Sequence, residues 1–126
     1  MKKALIVEDN QDSQFLLTVL IKSMGFSAIL ANNGMEAVEK AIEEKPHLIL
    51  MDIMLPGIDG REATRRIRSN QETKEIPILA VTAITDKSQL RECIKAGCND
   101  YILKPFNNKD LQEKILAVLD PPRDKQ

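Results

Sequence analysis

The chain has 126 residues, with 18 basic and 19 acidic side chains and a formal net charge of −1. Apolar residues make up 43% and charged residues 29%, the balance of one ordinary globular domain that buries a core without disulfide or metal. This near-neutral charge, with three Phe, one Tyr and no Trp, excludes strong non-specific attraction to nucleic acid or anionic membrane and a base-stacking platform.

Met1-Lys2-Lys3 leads straight into the apolar run Ala4–Val7, which Glu8-Asp9-Asn10 closes. That run is too short for a signal-peptide core, and no stretch approaches the roughly 20 apolar residues of a membrane span. A cytoplasmic chain is expected. A helical period follows, with Leu16, Leu20 and Met24 on one face and Phe15 and Val19 beside them, stopped at Gly25. A second run, Ala28–Ala31, ends in Asn32-Asn33, and Asn33 can cap a helix marked by Ala37, Val38, Ala41 and Ile42. Pro46 precedes the run Leu48–Met51, which ends on Asp52.

Asp59 can cap a third helix with Ala63 and Ile67 inward. Arg61, Arg65 and Arg68 form a stripe on it, expected to be a solvated face, with Glu62 spaced to pair with Arg66. Pro77 introduces Ile78–Val81, closed by Thr82, and Asp86 can cap a helix carrying Leu90, Cys93 and Ile94 up to Gly97. The run Tyr101–Leu103 meets Lys104-Pro105, and Leu111, Ile115, Val118 and Leu119 mark a final helix stopped by Pro121-Pro122. One domain over residues 1–120 and a polar tail over 121–126 are expected. The start and the tail favour a full-length single-domain chain.

Short apolar runs alternating with amphipathic helices predict an α/β fold, (βα)5, with a doubly wound parallel five-stranded sheet. In the flavodoxin-like order 2-1-3-4-5, ligands bind beyond the carboxyl ends of the strands where the order reverses. Glu8 and Asp9, Asp52, Thr82 and Lys104 then converge, while Asn32-Asn33 lie at an edge. Three clustered carboxylates repel one another, and a hard divalent cation such as Mg2+ resolves this while keeping waters for a phosphate. An ionised Asp can attack phosphorus, and an ammonium and a hydroxyl can balance the transferring oxygens. Asp52, on the central strand, is the best acceptor by position. Cys93 and Cys98 with the single His47 make a poor zinc set, and reduced thiols are expected.

The combination Leu5-Ile6-Val7-Glu8-Asp9-Asn10, Leu50-Met51-Asp52-Ile53-Met54-Leu55-Pro56-Gly57-Ile58-Asp59-Gly60, Ala80-Val81-Thr82-Ala83 and Ala96–Phe106 resembles the receiver domain of two-component response regulators. The likeness runs from about Lys3 to Leu119. It implies phosphorylation of Asp52 by a histidine kinase or histidine phosphotransfer protein, with Thr82 bonding the phosphoryl group and Lys104 pairing with it. It implies Mg2+ held by Asp9, Asp52, the backbone carbonyl of Met54 and, through water, Glu8. It further implies a cis Lys104–Pro105 peptide, Gly60 opening the third helix, and a switch in which Thr82 moves and Tyr101 turns from exposed to buried. The switch alters the surface from about Asp86 to Leu119 for an unidentified downstream protein. The chain is then a phosphoacceptor rather than an enzyme, and either a monomer or a phosphorylation-dependent dimer.

Met54 and Ile84, two past Asp52 and Thr82, would flank the line of attack on the phosphoryl group. Neither can orient a water, so slow loss of phosphate is expected. Two alternatives stand beside this reading. A small Mg-dependent aspartate-nucleophile phosphatase would use a similar Asp, Thr and Lys, but such enzymes usually carry an acid where Met54 stands. A flavin-binding protein of the same fold would need a phosphate loop where Glu8-Asp9 would repel the phosphate.

Overall fold

The computed structural model describes residues 2–120. Strands β1 (Lys3–Val7), β2 (Ser27–Ala31), β3 (Leu48–Asp52), β4 (Ile78–Thr82) and β5 (Asp100–Leu103) alternate with helices α1 (Gln11–Ser23), α2 (Gly34–Glu44), α3 (Gly60–Ser69), α4 (Lys87–Ala96) and α5 (Asn108–Leu119). All strand pairs are parallel, in the order β2-β1-β3-β4-β5. Parallel neighbours need crossovers, which the helices supply. Pro121 and Pro122 lie outside the described residues.

Alternation along each strand divides the core in two. Leu5, Val7, Ile49, Met51 and Ile78 meet Ala37, Ala41, Ala63, Ile67 and Cys93 from α2, α3 and α4. Ala4, Ile6, Leu50, Leu79 and Val81 meet Leu17, Leu20, Ile21, Leu111 and Ile115 from α1 and α5. β3 and β4 are buried at every position, as expected of strands covered on both faces. Each buried Leu or Ile contributes roughly 1.5–3 kcal/mol, so these two layers dominate stability.

Asn33, Asp59 and Asp86 cap α2, α3 and α4 through their side chains, and Asn10 and Asn107 do the same for α1 and α5. Gly25 and Gly97 take positive φ at the ends of α1 and α4, where an L side chain would be strained.

Two expectations need correction. The inward face of α1 is Gln14, Leu17, Leu20 and Ile21, whereas Phe15, Leu16 and Val19 are 68%, 65% and 52% exposed. Its apolar residues, Phe15 to Leu17 and Val19 to Ile21, spread over roughly two-thirds of the helix circumference, so periodicity does not single out the buried stripe. The arginine stripe on α3 is not simply solvated either. Arg61 pairs with Asp59 at 3.0 Å and Arg65 with Glu62 at 2.9 Å, and Glu62 also holds Arg66 at 3.0 Å. Arg68 is partly buried and donates to Gly97 O (3.0 Å), Ile76 O (2.7 Å) and Asn99 Oδ1 (2.9 Å). Those acceptors lie on two turns, before β4 and before β5, and a guanidinium has the donors to reach all of them.

Candidate functional site

The parallel register brings the ends of β1, β3, β4 and β5 to one rim. Val7 pairs with Met51, Asp52 with Val81, and Thr82 with Leu103. The residue at or just past each strand end therefore faces the same space. Glu8, Asp52 and Thr82 are buried there at 1%, 6% and 0% exposure, and Asp9 is exposed. Glu8, Asp9 and Asp52 each offer a carboxylate oxygen within 4.8 Å of the others'.

Lys104 reaches this group from the end of β5. Its Nζ lies 2.7 Å from Glu8 Oε2 and 3.8 Å from Asp52 Oδ2. The Lys104–Pro105 peptide is cis. Asp52 Oδ1 accepts from the Met54 N–H at 3.2 Å, and Glu8 Oε1 accepts from the Asn10 N–H at 3.2 Å. Thr82 Oγ1 accepts from the Ile84 N–H at 3.1 Å, which leaves its own proton available to a ligand. Met54 projects into solvent at 62% exposure, and Ile84 is partly buried.

The charges are unequal. Three carboxylates face one ammonium, and two of the three are buried. Burial, and next the negative charge of Glu8, push the Asp52 carboxyl from 3.8 up to about 6, against the pull of Lys104 and the Met54 N–H. A hard cation with oxygen ligands would remove this imbalance, so the donor set fits magnesium.

Gly60 packs α3 onto this rim. A Cβ there would collide with the Asp52 carbonyl oxygen and lie 2.7 Å from Ile53 Cα. Tyr101 is partly buried rather than fully exposed, with the Lys114 ammonium 5.9 Å from its ring centre. It shares a surface hollow with Leu90, Arg91 and Ile94 of α4. Lys114 also pairs with Asp100 at 2.9 Å. A second hollow, of about 470 Å³, lies beside Lys104 and is lined by Leu16, Pro105 and Phe106 among others.

Sequence reasoning missed Gln14 and Asn32. Gln14 is buried, and its Nε2 donates to the Glu8 carbonyl at 2.5 Å and to Asn32 Oδ1 at 2.7 Å. Asn32 follows the edge strand β2, yet through Gln14 it is joined to the loop that carries the acids. No hydrophobic period marks an amide as inward, so only the fold identifies it. Among the described residues, no helix is long and apolar enough to cross a membrane.

The model for the response regulator receiver domain matches residues 4–116. The polar-differentiation response regulator DivK of Brucella anthropi is 39% identical over 118 residues, covering 94% of this chain and 96% of the relative. The receiver domain of the sensor histidine kinase PA1611 from Pseudomonas aeruginosa, solved with a magnesium ion coordinated in its active-site cleft, superposes with a TM-score of 0.87. It is 36% identical, with 94% of this chain and 97% of that one covered. The receiver domain of Saccharomyces cerevisiae Ssk1, solved with the histidine phosphotransfer protein Ypd1, matches at a TM-score of 0.81 and 36% identity, covering 90% of this chain and 86% of that one. With a family match over nearly its whole length and the acids, threonine and lysine of the motifs gathered at one rim, this chain belongs to the response regulator receiver domains.

Proposed function

We propose that Asp52 accepts a phosphoryl group from the phosphohistidine of a histidine kinase or histidine phosphotransfer protein, and that the phosphorylated chain signals to a downstream protein. The convergence of Glu8, Asp9, Asp52, Thr82 and Lys104 at four strand ends carries this reading. An Asp52 carboxylate oxygen forms the new bond to phosphorus as the phosphorus–nitrogen bond breaks, and the imidazole leaves with the bonding pair. Asp9, Asp52, the Met54 carbonyl and, through water, Glu8 would hold magnesium, which would supply the positive charge that lets carboxylates and phosphoryl oxygens approach. Lys104 lies a short swing from Asp52 and can pair with one phosphoryl oxygen. The free proton of Thr82 can bond another.

Inward movement of Thr82 toward the phosphoryl group vacates space on the side of β5, which Tyr101 is placed to fill. The surface of α4, β5 and α5 then changes for the downstream partner. Phe15, Leu16 and Val19 are exposed on α1, and Leu16 lines the hollow at Lys104, a surface that suits a docked phosphoryl donor. A cytoplasmic setting suits this chemistry, because Cys93 and Cys98 are free and buried and stay reduced there.

Intact mass after incubation with acetyl phosphate and magnesium tests the reading. One added phosphoryl group is expected for the native chain and none for Asp52→Asn or in chelator. Steady turnover of phosphomonoesters, with no retained phosphoryl group, would replace it with the phosphatase reading.

A further inference from the structure

Gln14 begins the inward face of α1 and is only 9% exposed. A buried amide is costly unless its hydrogens are used, and both are: Nε2 donates to the Glu8 carbonyl at 2.5 Å and to Asn32 Oδ1 at 2.7 Å. Asn32 is held in turn, since its N–H donates to Glu36 Oε1 at 2.7 Å on α2. On the other side of Glu8, its N–H donates to the Ala31 carbonyl at 3.0 Å. The peptide groups on both sides of Glu8 are thus tied down, one by β2 and one by Gln14.

The second tie matters for the pocket. The Glu8 carbonyl belongs to the Glu8–Asp9 peptide, and rotation of that peptide would swing Asp9 away from Asp52. Asp9 is exposed, so packing does little to hold it.

We propose that Gln14 is a positioning residue for the acid pair: its amide fixes the Glu8–Asp9 peptide, with Asn32 as the rear anchor, and so sets the affinity of the pocket for magnesium. The proposal rests on reading that pocket as a magnesium site. Partners that orient metal ligands are worth about 10–100-fold in affinity, and a bond to the ligand-bearing backbone acts in the same way.

The test is calorimetric titration of the intact chain with magnesium alone. Gln14→Met keeps the length and removes both donors, and is expected to raise the magnesium Kd about tenfold. Asn32→Ala leaves the bond to Glu8 and removes its anchor, and is expected to raise the Kd about threefold. With acetyl phosphate, the magnesium needed for half-maximal phosphorylation should rise by the same factors, while the rate at saturating magnesium stays within about twofold of the native one. A purely structural role predicts a lower melting temperature and an unchanged Kd. Folded variants that both bind magnesium as the native chain does would overturn the proposal. If Gln14→Met fails to fold, the Kd of Asn32→Ala decides it alone. A native chain that takes up no magnesium would instead overturn the metal-site reading beneath it.

Discussion

Burial and the Glu8 charge together lift the Asp52 carboxyl to about 6. Between about pH 4 and pH 6 the folded chain then retains a proton that the unfolded chain has released. Native stability therefore falls as pH rises through this window and stays lower above it. Asp52→Asn removes the penalty. In chelator at pH 7–8 the variant should be more stable by about 1–3 kcal/mol, with the gain vanishing below about pH 4. Denaturant melts of both proteins across that range check the sign, and magnesium should narrow the gap by stabilising only the native chain. Met54 and Ile84 make a second prediction. Neither can orient or deprotonate a water, so the phosphorylated chain should lose its phosphoryl group slowly. Met54→Asn should speed that loss about tenfold, read from the decay of the phosphorylated mass after the donor is removed. Equal decay rates would show that the residue at this position does not limit hydrolysis.

At the scale of elements, α1 serves two surfaces with one apolar sequence. Leu17, Leu20 and Ile21 join the core, and Phe15, Leu16 and Val19 remain in water, with Leu16 lining the hollow at Lys104. A cluster of large exposed apolar side chains beside a reactive site marks a docking surface. Phe15→Asp should slow phosphorylation by a phosphotransfer partner about tenfold or more while leaving acetyl phosphate labelling unchanged, because the small donor needs no α1 contact. The junction of β3 with α3 makes a different demand. Gly60→Ala drives a methyl group into the backbone of Asp52 and Ile53, which side-chain rotation cannot relieve. It should cost about 1–3 kcal/mol in a denaturant melt and also slow phosphorylation, since the acceptor itself is displaced.

At the scale of the molecule, the proposed switch must bias the whole α4–β5–α5 surface from one pocket. Moving an equilibrium from 1:99 to 99:1 takes about 5.5 kcal/mol of differential interaction. One charge-assisted hydrogen bond from Thr82 supplies about 1.5–3 kcal/mol. Lys104, the metal and the bound partner would have to supply the remainder, or the switch is partial. The contacts around Tyr101 suit such a shared load. Its ring lies near Lys114, which Asp100 also holds, and both contacts are partly open to water and modest in strength.

The order of elements and the position of Asp52, Thr82 and Lys104 at strand ends were legible in the sequence. Short, nearly continuous apolar runs alternating with amphipathic helices suit a parallel sheet covered on both faces, and caps and glycines mark the helix limits. The gathering of Glu8 and Asp9 with Asp52 followed from the strand order. The face that α1 buries, the bonds of Arg68 and the reach of Gln14 to Glu8 and Asn32 were decided by the tertiary structure. A helix whose apolar residues spread over most of its circumference declares its buried side only when a sheet is laid against it. A polar side chain likewise declares its partners only when the fold brings distant carbonyls within about 3 Å of it.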